Sequence, residues 1–146
     1  MADVAAWTKT RQTLYTIVRT VLGADNGNVC LGYLPQLILE NSWLALLESK
    51  TYYASIGPAE QNSHAGQIGH GQFNVRVKLW FCFASATAYD FKAVEEVLWS
   101  LREALNTVGN YTTCAAPLET RIAGPKLDRR KNPILGRYDL DLVFEG

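Results

Sequence analysis

The sequence has no excess of charge of either sign. Fourteen lysines and arginines balance fourteen aspartates and glutamates, for a formal net charge of +0. A neutral chain has no general attraction for nucleic acid or for an anionic membrane surface. It also has little repulsion between copies, which permits self-association. Histidine and cysteine are scarce, at two and three residues. His64 and His70 share one glycine-rich stretch with no Cys, Asp or Glu between them. Two ligands do not complete a tetrahedral metal site, so these read as solvated loop histidines. Cys30, Cys82 and Cys114 are widely spaced and form neither a CxxC pair nor an even disulfide set. Cys82, inside a strand pattern, reads as a small packed residue. No apolar run approaches the roughly 18 residues that span a bilayer. The opening "MADVAAWTKTRQ" lacks the basic and apolar regions of a signal peptide. The expectation is a soluble, reduced protein made in the cytoplasm and without membrane contact.

Catalytic motifs are missing too. No GxSxG, HExxH or Walker pattern occurs. "GQIGHG" has spaced glycines, but a phosphate loop joins a strand to a helix N-terminus, and this one joins two predicted strands. A Cys–His pair that meets only in space stays open, although all three cysteines stand in ordinary or apolar contexts. Asp139 and Asp141 are paired carboxylates, and strand alternation already explains their spacing; a solvated strand face is expected. No catalytic residue, metal or cofactor is expected.

What is present is a globular composition, 48% apolar and 19% charged over 146 residues. That length suits one domain, 1–146, able to bury about 70% of its unfolded surface. The first periodic segment runs from Thr8 to Leu22. Trp7, Leu14, Ile17, Val18, Val21 and Leu22 share a helical stripe, and Gly23 stands where a left-handed C-cap belongs. From Cys30 to Lys50 no clean period emerges. Pro35 argues against a helix there, although a short helix over Asn41–Ser49 fits. "TYYASIGPAE" is β-rich until Gly57-Pro58 breaks it. A polar, glycine-rich connection then leads into the longest signal of the chain.

That signal is "FNVRVKLWFCF". Phe73, Val75, Val77, Leu79, Phe81 and Phe83 alternate with Asn74, Arg76, Lys78, Trp80 and Cys82, which predicts a long strand. Its second face begins charged and turns apolar at Trp80, so one end meets solvent or a partner and the other is covered. The period then changes. Phe91, Val94, Leu98, Leu101, Leu105 and Val108 mark a helix capped by Thr87 and Asp90 and ended by Gly109-Asn110. Leu98 and Leu101 are expected to pack on Leu79, Phe81 and Phe83. A closing hairpin follows, with strands in "PLETRIAG" and "GRYDLDLVFE" and a connection "PKLDRRKNPIL" between them. The order helix, strands, helix, strands predicts an α+β fold: an antiparallel or mixed β-sheet with two amphipathic helices packed on it and β-hairpin extensions.

The most pointed polar feature is the basic loop with Lys126, Arg129, Arg130 and Lys131. Arg121 to Arg137 holds six basic residues and one acidic. It reads either as a solvated hairpin tip or as a contact for DNA phosphates or an acidic partner. No aromatic residue interleaves the cations, which argues against stacking on single strands. Four Trp and seven Tyr are many for this length. Trp7, Trp43, Tyr52, Tyr53 and Trp99 cannot all be fully buried, and such residues are favoured at interfaces.

Three features together resemble the tail terminator and tail-completion (neck) proteins of long-tailed bacteriophages: the helix "TKTRQTLYTIVRTVLG", the passage "VRVKLWFCFASATAYDFKAVEEVLWSLREAL", and the closing hairpin ending "GRYDLDLVFEG". The resemblance is one of architecture and spans most of the chain, and Cys30–Lys50 departs from it. It implies a non-enzymatic virion protein of the neck or upper tail that forms a homo-hexameric ring. Such a ring would cap the tail tube protein, end tube elongation and meet the head–tail connector or stopper. DNA would pass through its lumen without sequence recognition. A head-completion or stopper protein is the alternative within that class. A small α+β ligand-binding domain is the alternative outside it.

Overall fold

The computed structural model describes residues 4–23, 29–31, 52–62, 72–83, 91–128 and 134–145. Helix α1 spans Val4–Leu22. Strands β1 (Val29–Leu31), β2 (Tyr52–Asn62) and β3 (Gln72–Phe83) follow. Helix α2 (Phe91–Asn106) precedes β4 (Glu119–Asp128) and β5 (Ile134–Glu145). The strands form one sheet in the order β1-β2-β3-β5-β4. β1 runs parallel to β2, and every other neighbouring pair is antiparallel. The fold is α+β with a mixed sheet.

The alternation on β3 produces the core. Phe73, Val75, Val77, Leu79 and Phe81 are all at most 2% exposed. In register they face Phe144, Leu142, Leu140, Tyr138 and Gly136 of β5. Side chains opposite each other on one sheet face approach closely enough to pack, and the Phe73 and Phe144 rings stack at 5.3 Å. Leu14, Ile17 and Val18 of α1 join the same cluster, as do Val94, Leu101 and Leu105 of α2. Leu98 packs against its margin. Each large side chain withdrawn from water contributes about 1.5–3 kcal/mol of transfer free energy. The Phe83 side chain lies outside the described residues. So do the expected Asn41–Ser49 helix, the Thr87 and Asp90 cap, Trp43 and the connection with His64 and His70.

Helix ends follow local chemistry. Gly23 has φ 99°, and its N–H donates to the Arg19 carbonyl at 2.9 Å. This is the left-handed cap expected of a glycine after the last apolar residue. The second helix stops earlier than its apolar spacing suggests, at Asn106. Its last carbonyls are taken by side chains: Thr107 Oγ1 donates to Glu103 O at 2.8 Å, Asn110 Nδ2 to Ala104 O at 2.8 Å, and Tyr111 Oη to Leu105 O at 2.6 Å. These satisfy groups that a helix end leaves unpaired. Burial first, then the Cys114 thiol, pushes the Tyr111 phenol above its ordinary range. Val108 falls in the 3₁₀ turn Val108–Asn110 and is 71% exposed, so it does not extend the buried stripe.

Two glycine–proline pairs behave differently from their sequence reading. Gly57-Pro58 does not end β2. The strand continues through a register shift between Ile56 and Ala59. A bulge absorbs the missing proline donor without breaking the ladder. Arg11 Nε of α1 donates to Gly57 O at 2.9 Å, which ties the helix to the bulge. Gly124-Pro125 likewise lies inside β4, at a shift between Ala123 and Lys126. Residues 125–128 therefore belong to the strand and not to the connection.

Candidate interface on the outer sheet face

The second face of the sheet carries the polar chemistry. Asn74, Arg76, Lys78 and Trp80 of β3 lie beside Val143, Asp141, Asp139 and Arg137 of β5. Glu119, Arg121 and Ala123 of β4 continue three of these rows. The extra residue at the β4 bulge reverses which side chains point outward. Lys126, paired with Arg137, therefore stands on this same face. Across the three strands the rows read Arg76–Asp141–Arg121, Lys78–Asp139–Ala123 and Trp80–Arg137–Lys126.

Asp139 is the centre of this grid. It was expected on a solvated face, yet the residue is only 7% exposed. Two cations account for the difference. Arg137 Nε approaches Oδ1 at 2.8 Å, and Lys126 Nζ lies 3.6 Å from Oδ2. The Nε–Oδ1 contact is ionic without hydrogen-bond alignment. The aligned bond runs from Arg137 Nη2 to Oδ2 at 3.3 Å. The Arg137 guanidinium also lies over the Trp80 ring, 5.2 Å from its centroid. A planar cation suits both contacts at once. Asp141 is half-buried and accepts from Asn74 Nδ2 at 3.2 Å. At the margin Arg121 donates to Glu119 through Nε and Nη2, both at 3.0 Å. That hydrogen bond holds the Glu119 carboxyl below its usual range. Both partners are exposed, so the pair adds little to stability.

The four cations singled out in the sequence thus separate. Lys126 lies on β4 with its side chain 64% exposed, and it is paired with Asp139. Arg129, Arg130 and Lys131 lie outside the described residues, in the stretch between Asp128 and Ile134. On the strands the cations stand among carboxylates. The surplus of positive charge belongs to residues 129–131 of the sequence. Sequence reasoning missed the Asp139 cluster, although Gly124-Pro125 was the available signal: a bulge there brings Lys126 onto the face of Arg137.

Among the described residues, no group of three or more His, Cys, Asp or Glu is arranged to hold a metal ion. No helix among them is long and apolar enough to cross a membrane. Trp99, at 57% exposure, and half-buried Trp7 and Tyr52 confirm that the aromatic surplus is not all internal.

No family model matches the chain, and no curated relative matches its sequence. Among solved structures, the fold is similar to a chain in the virion of a native gene transfer agent particle. The match has a TM-score of 0.57 at 16% identity and covers 99% of this chain and 100% of the other. At that identity the likeness is one of fold, and it extends over the full length of both chains.

Proposed function

We propose that this chain is a non-enzymatic structural component of a phage-like virion. It forms a ring that caps the tail tube, ends its elongation and joins it to the head–neck connector. The observation that carries the reading is the full-length correspondence of fold with a virion chain, 99% of one on 100% of the other. The helix, long-strand and closing-hairpin order supports the terminator role within that class. A growing tube end is a heterologous interface and keeps adding subunits until a different surface covers it. A ring that matches the tube on one side and differs on the other supplies the stop. The experiment is to add the purified protein to tubes elongating in vitro. Elongation should cease, with one ring at one end of each tube. Tubes that lengthen at an unchanged rate would overturn the reading.

In this reading the basic connection faces the DNA in the ring lumen or an acidic partner. Phosphate contacts of this kind are independent of sequence and weaken steeply with salt. Replacing Lys126, Arg129, Arg130 and Lys131 together with Ser should leave the melting temperature within a few degrees of wild type. Lys126 is the exposed, more distant partner of Asp139, and Arg137, at 2.8 Å, stays in place to hold the buried carboxylate. Ring assembly, tube binding or DNA passage should be impaired, read as a reduced yield of infectious particles. A normal yield from the quadruple variant would show that the stretch is a solvated tip.

A further inference from the structure

β4 is an outermost strand of the sheet, and most of it stands in water. Every residue from Leu118 to Lys126 is exposed except Thr120, which is half-buried. β5 takes one side of its ladder. On the other side alternate backbone N–H and C=O groups point away from the sheet. Such an edge is a template on which another strand can pair. The hazard is greatest in the first half of the strand. Leu118 N–H donates to Val143 O at 2.7 Å, so the ladder begins one residue before β4. Leu118 and Ile122 are 57% and 38% exposed. Leu118–Ala123 has the length of about six residues that suffices for stacked β-segments. Zero net charge leaves little general repulsion between copies to oppose such pairing.

We infer that the Gly124-Pro125 bulge guards this edge: it keeps β4 from accepting a strand of a second copy. The bulge sits at the register shift between Ala123 and Lys126, so it divides a ten-residue strand into two short pieces. A bulge of this kind bends the strand and increases its twist, which turns the edge away from a straight partner. Pro125 has no N–H to offer an incoming strand. Gly124 has φ 117°, and a Cβ there would lie 2.9 Å from Arg137 O. Only glycine fits that backbone without strain, so the irregularity is built into the packing against β5. The bulge also brings Lys126 to 3.6 Å from Asp139, an ion pair that a regular strand of the same length would not form. Glu119, Arg121 and Lys126 add exposed charge along the same edge, a second common means of discouraging strand addition. The inference stands apart from the ring reading. It says that copies meet through surfaces other than the β4 ladder.

The test deletes Pro125 from the full chain. The register permits this. Without Pro125, Gly124 stands opposite Tyr138, between the pairs Ala123–Asp139 and Lys126–Arg137, and no described β4–β5 pair is lost. Variant and wild type are compared by sedimentation over a concentration series, with infrared spectroscopy for intermolecular β-structure and hydrogen exchange for its location. The deletion variant should associate at a concentration lower by at least about tenfold, the effect of a few added cross-strand pairs. New intermolecular β-structure should accompany it, with amide protection appearing between Leu118 and Asp128. Adding Ile122→Lys to the deletion should return wild-type behaviour, because an edge lysine blocks strand addition by other means. Pro125→Thr keeps the extra residue and restores the donor; it serves if the deletion impairs folding, and should shift association in the same direction by a smaller factor. A natively folded deletion variant that associates no more readily than wild type would overturn the inference. Protection of alternate β4 amides on self-association of the wild-type chain would also overturn it, since the edge would then already pair between copies. That result would leave the ring reading standing.

Discussion

Leu101→Ala should lower the free energy of unfolding by about 2–5 kcal/mol. Leu101 is 0% exposed and belongs to the cluster that includes Leu79, Phe81 and Leu140. Truncation removes the transfer energy of the lost carbons and leaves a cavity between helix and sheet that the strands cannot close. Native cores are dense and relax only in part. Chemical denaturation reads the change directly, at constant dependence on denaturant. A loss below about 0.5 kcal/mol, the range of ordinary surface changes, would show that α2 does not seal the inner face.

Gly136→Ala is the second large effect, and it arises from too much volume. Gly136 sits on the inner face of β5 opposite Phe81. A methyl group there would meet the Phe81 ring, with a Leu127 methyl also close. The ring has little room to retreat. Phe81 is 1% exposed and lies 5.6 Å from the Tyr138 ring. Overpacking of this kind costs about 1–3 kcal/mol, and more where the neighbour is rigid. Thermal unfolding would detect it. Adding Phe81→Leu should recover part of the loss, since a smaller side chain vacates the space. A double-mutant cycle separates that coupling from the cost of losing the ring. Independent, additive losses would show that Gly136 is not kept small by Phe81.

The strands with a buried inner face were legible because their chemistry has one period. Phe73 to Phe81 and Tyr138 to Phe144 alternate without exception, and their partners are all apolar. The same holds for the α1 stripe and for Gly23, where the local backbone requirement and the residue agree. The reading weakened wherever a tertiary contact outweighs a local signal. Gly57-Pro58 and Gly124-Pro125 are turn-like dipeptides. The neighbouring ladders absorb each as a bulge, and Arg11 supplies the partner that Gly57 O needs. β1 has three residues, too few for any period to show, so its parallel pairing with β2 left no trace in the sequence.

The outer face was only half legible. Alternation placed Asp139 and Asp141 on the side opposite the core, which is correct. Nothing along the strand announces that Lys126, thirteen residues earlier in the sequence, reaches across to Asp139. That contact depends on the parity change at the β4 bulge. It also separates Lys126 from the other three cations of the basic stretch, with which the sequence groups it.

The most direct measurement of the central claim is the distribution of tail lengths in particles assembled without this chain. Removing the gene and imaging the products by electron microscopy should give tails of irregular, extended length that fail to join heads, because nothing else covers the growing tube end. Supplying the wild-type chain should restore uniform joined tails. Tails of normal, uniform length that still join heads in its absence would contradict the account.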